Sequence, residues 1–188
     1  MNADEQRPSD RARGMRGLDA TLYGIVARRH SPQLDVAMRR LSHAADYSRL
    51  SLSGAAVLAL AGGPRGRRAA ARGLACVGVT AAVVNLAVKP LTRRSRPDRA
   101  EHGVPEARHV PMPISTSFPS GHTAAAVAFA VGAAGAWPRA GVPLGALGIL
   151  VGYSRVHTGV HYPGDVLAGG LIGAGLAAAP GRALDARR

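Results

Sequence analysis

Between Ser154 and Asp165 the chain reads Ser154-Arg155-Val156-His157-Thr158-Gly159-Val160-His161-Tyr162-Pro163-Gly164-Asp165, which sets an arginine, two histidines and a carboxylate between two apolar segments. Ionisable groups are costly to keep at such a depth, and where they persist they usually serve function. Two other polar clusters match this one in kind. The first runs Lys89-Pro90-Leu91-Thr92-Arg93-Arg94-Ser95-Arg96-Pro97, and the second is Phe118-Pro119-Ser120-Gly121-His122. Together the three supply cations, two imidazoles besides His157, a hydroxyl, the start of a helix and one carboxylate. That set suits a phosphate.

The fit is chemical. A phosphoryl group in transfer spreads negative charge over its three equatorial oxygens, so a site for it needs fixed donors and cations around them. Lys89, Arg96 and Arg155 carry that charge, and each guanidinium can grip two oxygens at once. Ser120 and Gly121 head an expected helix, where a hydroxyl and backbone N–H groups aim at an anion and glycine leaves room for close approach. With the oxygens neutralised in this way, no metal ion and no organic cofactor is expected. His161 has Asp165 four residues on, near enough across the turn to hold one ring nitrogen protonated and leave the other to attack phosphorus. His122 then protonates the leaving oxygen and later takes a proton from water. These roles describe a two-step hydrolysis through a phosphohistidine.

Each residue alone has a plainer reading. A lone Pro-Ser-Gly-His is more often a capped turn, Lys89 an interfacial side chain, Arg93 or Arg94 a solvated or lipid-facing charge. His30, His43, His102 and His109 are read as ordinary polar residues, and His157 is given no catalytic role. A zinc site of His102, His109 and His122 lacks tight ligand spacing and leaves the arginines unexplained. Order and spacing taken together decide otherwise. The motifs K-x6-R-P, P-S-G-H and S-R-x5-H-x3-D resemble those of the type 2 phosphatidic acid phosphatase superfamily, which includes membrane lipid phosphatases and vanadium haloperoxidases. The resemblance covers roughly residues 45–180. It implies His161 as nucleophile, Asp165 as its orienting partner, His122 as general acid, and Lys89, Arg96, Ser120, Gly121 and Arg155 as phosphate ligands. The fold it implies is an all-α bundle, commonly with six membrane helices.

The elements that must position these residues follow from the apolar pattern. Leu50–Gly63, Gly73–Val88, Ser120–Ala136, Val142–Tyr153 with its flanks, and Asp165–Ala179 read as five spans of an integral-membrane helical bundle, with room for a sixth. Leu50–Gly63 is short for a crossing and needs its helix to begin near Ala44. Gly62-Gly63-Pro64 ends it, and Arg65, Arg67, Arg68 and Arg72 are expected in a basic loop. Residues 91–118, rich in Arg and Pro, form a long loop outside the hydrocarbon. Residues 1–16 read as a disordered basic tail, 17–48 as two amphipathic helices, 49–182 as a membrane-embedded phosphatase domain and 183–188 as a basic tail. The amphipathic pair places Leu18, Leu22, Ile25 and Val26, then Leu34, Met38 and Leu41, on faces that pack on the bundle or lie on the membrane.

The net charge of +13 points to an acidic partner. Aromatics make up only 4% of the chain, which argues against nucleic acid and leaves lipid phosphates and membrane lipids. Cys76 reads as a buried small side chain, and no cleavable signal peptide is expected. Most basic residues fall on the side of the three clusters, so the positive-inside bias puts the site on the cytoplasmic face of the cell membrane. The Arg- and Ala-rich chain resembles small actinobacterial polyprenyl-phosphate phosphatases of that superfamily, and the resemblance implies hydrolysis of the terminal phosphate of a polyprenyl (di)phosphate or related phospholipid. A non-catalytic phospholipid binder or transporter would keep the arginines without needing His122, His161 and Asp165 together.

Overall fold

The computed structural model describes residues 10–29 and 31–185. Expectations for residues 1–9, His30 and residues 186–188 lie outside the described residues. In chain order the α-helices are α1 (Asp10–Arg28), α2 (Pro32–Ala44), α3 (Arg49–Ala61), α4 (Gly63–Ala82), α5 (Gly121–Ala134), α6 (Pro138–His157) and α7 (Pro163–Asp185). Among the described residues there is no strand. Prolines stand in the first turn of α2, α4 and α6, where the N–H they lack has no helical partner in any case.

Small side chains decide the packing. α5 sits at the centre against α3, α4, α6 and α7, burying Ala124, Ala128, Ala130, Gly132 and Ala133. Gly169 and Gly173, one turn apart on α7, let that helix close onto α5, because a methyl at either would collide with the backbone of Ser120 or Ala124. The one bulky wedge is Phe129, which joins Ala55, Ala70 and Val77 between α3 and α4.

Four boundaries differ from the sequence reading. α1 begins at Asp10, so residues 10–16 are helical rather than an unstructured tail. The arginines expected in a loop after Pro64 ride on the first turns of α4, because the chain reverses within Gly62 and Gly63, the latter at φ 56°. α3 does not reach back to Ala44. Tyr47 and Ser48 interrupt it with φ of 54° and 57°, left-handed values that cost L-residues energy. At the other end α7 continues through residues 183–185 of the expected tail.

α4 runs on through a π-helical stretch, Val83–Val88, and a 3-10 turn, Lys89–Leu91. The resulting run, Gly63–Leu91, has 29 residues and is the one helix among the described residues long and apolar enough to cross a membrane. Gly121–Ala134 and Pro163–Ala179 are apolar but shorter. At 1.5 Å per residue the 14 residues of α5 reach about 21 Å, short of a hydrocarbon core of roughly 30 Å.

Of the two arrangements open to the amphipathic pair, α1 keeps its apolar face outward, whereas α2 buries Met38 of its own. α1 turns Asp19, Tyr23 and Ala27 inward and leaves Leu18, Leu22 and Ile25 exposed, while α2 buries Asp35, Met38 and Ser42. The inward polar groups have partners. Asp35 takes His157 Nε2 at 2.8 Å and pairs with Arg108 Nε at 2.8 Å. Arg108 also donates to the carbonyls of Val26, Ala27 and Arg29, closing the C-terminus of α1. His157 therefore belongs to a buried tie between α2, α6 and the long loop.

Candidate active site

The three clusters meet because the elements carrying them end at one place. α6 stops where Gly159 takes a φ of 74°, and the N–H groups of Val160 and His161 both return to the carbonyl of Arg155. That reversal buries His161 at 2% exposure and leads into α7, whose first turn holds Asp165, fully buried. The N–H of Ser120 donates to the Asp165 carbonyl at 2.9 Å, which fixes the head of α5 against the head of α7.

Arg96 reaches His161. Its Nη1 lies 3.3 Å from His161 Nε2 and donates to the carbonyl of Val160 at 2.8 Å, while Nε and Nη2 are held by the carbonyls of Ser115 and Thr116. An arginine only donates, so Nε2 is the unprotonated ring nitrogen. Nδ1 then carries the proton and faces Asp165 Oδ2 at 3.5 Å. That separation is longer than the bond expected from the spacing, because Oδ2 is held more closely by Ser117 Oγ, at 2.5 Å, and by the N–H of Tyr162, at 2.9 Å. Burial, with Arg96 and Arg155 nearby, pulls His161 from 6.5 down to about 4 against the opposing influence of Asp165. At neutral pH the ring is uncharged.

The other expected phosphate ligands lie close by, and Lys89, Arg155 and Ser120 each have a protein partner. Lys89 Nζ donates to Ser115 Oγ at 3.0 Å, and Arg96 Nη2 approaches the same hydroxyl at 3.3 Å. Arg155, 2% exposed, turns Nη1 onto Ser42 Oγ at 2.6 Å and stands 3.7 Å from Asp46 Oδ1. Ser120 Oγ pairs with Thr123 Oγ1 at 2.9 Å. His122 Nε2 lies 3.0 Å from Asp46 Oδ1. Lys89, Gly121 and His122 line one cavity of about 180 Å³ with Tyr47, Ser48, Val84 and Asn85. His102 and His109 are engaged instead with the carbonyls of Asp98 and Val104 in their own loop. Among the described residues no three His, Cys, Asp or Glu side chains gather as a metal site would require.

Three neighbours around His161 and Asp165 escaped the sequence reading. Arg94, read alone as a solvated or lipid-facing charge, bridges Asp165 Oδ1 at 2.9 Å and Asp19 Oδ2 at 2.5 Å, with its guanidinium 4.5 Å above the Tyr162 ring. A usable signal was present, because side chains two apart in an extended chain share a face. Arg94 and Arg96 sit in such a stretch, while Arg93 and Ser95, which alternate with them, are exposed. Ser117 adjoins the second motif. Asp19, whose Oδ1 also accepts from the N–H of Gly164 at 2.7 Å, carried no signal at a distance of 145 residues.

The sequence profile of the PAP2 superfamily matches residues 70–185. The decaprenylphosphoryl-5-phosphoribose phosphatase of Mycolicibacterium smegmatis is 35% identical over 156 residues, 82% of each chain. The undecaprenyl-diphosphatase BcrC of Bacillus subtilis is 41% identical over 63 residues, 34% of this chain and 32% of that relative. The fold is similar to that of a transmembrane PAP2-type phosphatidylglycerolphosphate phosphatase from Bacillus subtilis, with a TM-score of 0.69 at 24% identity over 93% of this chain and 87% of the other. It is also similar to Aquifex aeolicus LpxE, with a TM-score of 0.66 at 23% identity over 94% and 96%. A match over more than half of the chain, together with a relative alike over most of both lengths, assigns the protein: it belongs to the PAP2 superfamily, as a lipid phosphate phosphatase.

Proposed function

We propose that the protein removes the terminal phosphate of a polyprenyl phosphate or diphosphate at a membrane, through a phosphohistidine on His161. The observation that carries the reaction is the pairing of Arg96 with His161 Nε2, whose one lone pair accepts the guanidinium N–H and is released for attack when Arg96 turns to the phosphate. The polyprenyl substrate is supported by the names of the Mycolicibacterium and Bacillus relatives. A panel of purified polyprenyl phosphates, polyprenyl diphosphates, phosphatidic acid and phosphatidylglycerophosphate tests it, with fastest phosphate release expected from a polyprenyl substrate. Faster release from both glycerolipids would overturn the assignment.

In the first step the His161 Nε2 lone pair forms a bond to phosphorus while the bond from phosphorus to the leaving oxygen breaks. The electron pair left on that oxygen takes a proton from His122. In the second step water attacks phosphorus and gives a proton back to His122. The N–P bond breaks with its electrons returning to His161, and inorganic phosphate departs. Lys89, Arg96 and Arg155, together with the Ser120 hydroxyl and the backbone N–H at Gly121, stabilise the equatorial oxygens, the side chains exchanging their present partners for phosphate.

Since these groups supply the positive charge, activity is expected to survive chelation by EDTA and to be inhibited by vanadate, which takes the shape of the phosphorane. Complete loss in EDTA, restored by zinc or magnesium, would reinstate a metal.

Integration in the membrane is supported by the Gly63–Leu91 helix and by the outward Leu18, Leu22 and Ile25 of α1. A cytoplasmic site is supported by the basic bias, since Asp19 and Asp35 tie α1 and α2, with their arginines, to the site's end. Thiol labelling in intact cells tests this orientation. In a Cys76→Ser background, Glu101→Cys is expected to resist an impermeant reagent while Arg68→Cys reacts. Both native side chains are exposed, so the reverse pattern means an outward-facing site.

A further inference from the structure

We propose that Asp46 is the positioning residue of the general acid, holding His122 by Nε2 so that its proton passes to the leaving oxygen through Nδ1. The proposal rests on the phosphohistidine reading above and adds a residue to it. Asp46 Oδ1 lies 3.0 Å from His122 Nε2 and 3.7 Å from Arg155 Nη1, and its second oxygen lies 3.6 Å from His43 Nδ1. A carboxylate only accepts, so Nε2 carries a proton in this contact and Nδ1 is the ring nitrogen left to exchange one. The arrangement mirrors His161, where Nδ1 faces the carboxylate of Asp165 and Nε2 is the working atom.

The backbone gives a second, independent observation. Tyr47 and Ser48, directly after Asp46, both adopt left-handed φ, at 54° and 57°. Consecutive non-glycine residues in that region persist only where surrounding structure holds them, and such sites cluster near function. Here they stop α2 from running into α3 and turn Asp46 towards the head of α5. Both also line the cavity that His122, Lys89 and Gly121 share.

As the bond from phosphorus to the leaving oxygen breaks, the electron pair on that oxygen accepts the His122 Nδ1 proton, and the imidazolium becomes neutral imidazole still bonded to Asp46 through Nε2–H. When water attacks the phosphohistidine, its proton returns to Nδ1 and Asp46 stabilises the imidazolium that forms. Asp46 touches neither phosphorus nor the leaving oxygen; it works through His122.

Leaving-group dependence separates this role from a structural one. An alkyl oxygen needs a proton as it departs, whereas a nitrophenolate does not. In the purified full-length enzyme, Asp46→Asn is expected to lower kcat/KM for a polyprenyl monophosphate roughly 10- to 100-fold and to leave kcat/KM for p-nitrophenyl phosphate within about threefold. His122→Ala should show the same split, larger, and adding Asp46→Asn to it should cause no further loss on the lipid. Equal loss on both substrates, no loss on either, or a lower KM at unchanged kcat overturns the proposal, the last because Asp46 would then merely fill the phosphate site. His161→Ala distinguishes the levels. Full activity there overturns the phosphohistidine reading itself, whereas an inactive His161→Ala beside equal losses in Asp46→Asn overturns only the role of Asp46.

Discussion

His161→Ala is expected to abolish turnover, with a loss of about four orders of magnitude or more, because no other side chain takes over the bond to phosphorus. Rapid acid-free quenching with radiolabelled p-nitrophenyl phosphate, whose leaving group needs no proton, checks it: wild type and His122→Ala should carry acid-labile protein-bound phosphate, and His161→Ala none. Full activity in His161→Ala sinks the mechanism. A pH profile adds a sign. The attacking ring must be neutral, and its burial holds the folded-state value at about 4. The rate therefore falls as pH drops through about 4 and not through 6.5, so the acid limb of kcat/KM, which reports the free enzyme, should lie well below the ordinary histidine range.

Asp165→Asn is expected to lower kcat by roughly two to four orders of magnitude with KM little changed, since the carboxylate sets the tautomer of His161 and steadies the positive charge on the ring. The structure adds a cost in stability. Asp165 is fully buried and accepts from Ser117, Arg94 and the N–H of Tyr162 as well as facing His161. An amide can accept from only some of these and leaves Arg94 with a single carboxylate, a loss of about 1–3 kcal/mol. A melting curve beside the kinetics separates the two effects. The large loss in kcat should persist at temperatures where the variant remains folded, and recovery of wild-type kcat there would refute the orienting role. Arg94→Ala should move in the same direction by a smaller factor, because it removes the clamp on Asp165 and not the carboxylate itself.

Much of the candidate site was legible because phosphate chemistry restricts residue types and the three clusters lie at the ends of apolar segments. Lys89, Arg96, Ser120, Gly121, His122, Arg155, His161 and Asp165 were all read from the chain as candidates; in the structure Lys89 and Arg96 meet at Ser115, Arg96 meets His161, and Lys89, Gly121 and His122 line the 180 Å³ cavity. The helical class was equally legible, since long Ala, Gly, Leu and Val runs admit little else. Helix limits were less so. Whether Arg65–Arg72 formed a loop or a first turn depended on a reversal completed within two glycines, which composition does not reveal.

What only the tertiary structure decided is which carboxylates serve which cations. Asp19, Asp35 and Asp46 lie on α1, α2 and the turn after α2, where the sequence pattern records only amphipathic helices and an interrupted span. Their partners stand far along the chain: Arg94 is 75 residues from Asp19, His157 is 122 from Asp35 and His122 is 76 from Asp46. The sequence by itself determines the proposed chemistry, because a nucleophile, an acid and a cation cage need particular side chains in particular motifs. Pairing across such distances depends on how helices close on one another, and here that closure follows from small residues such as Gly169 and Gly173, whose missing side chains let α7 and its aspartate reach the head of α5.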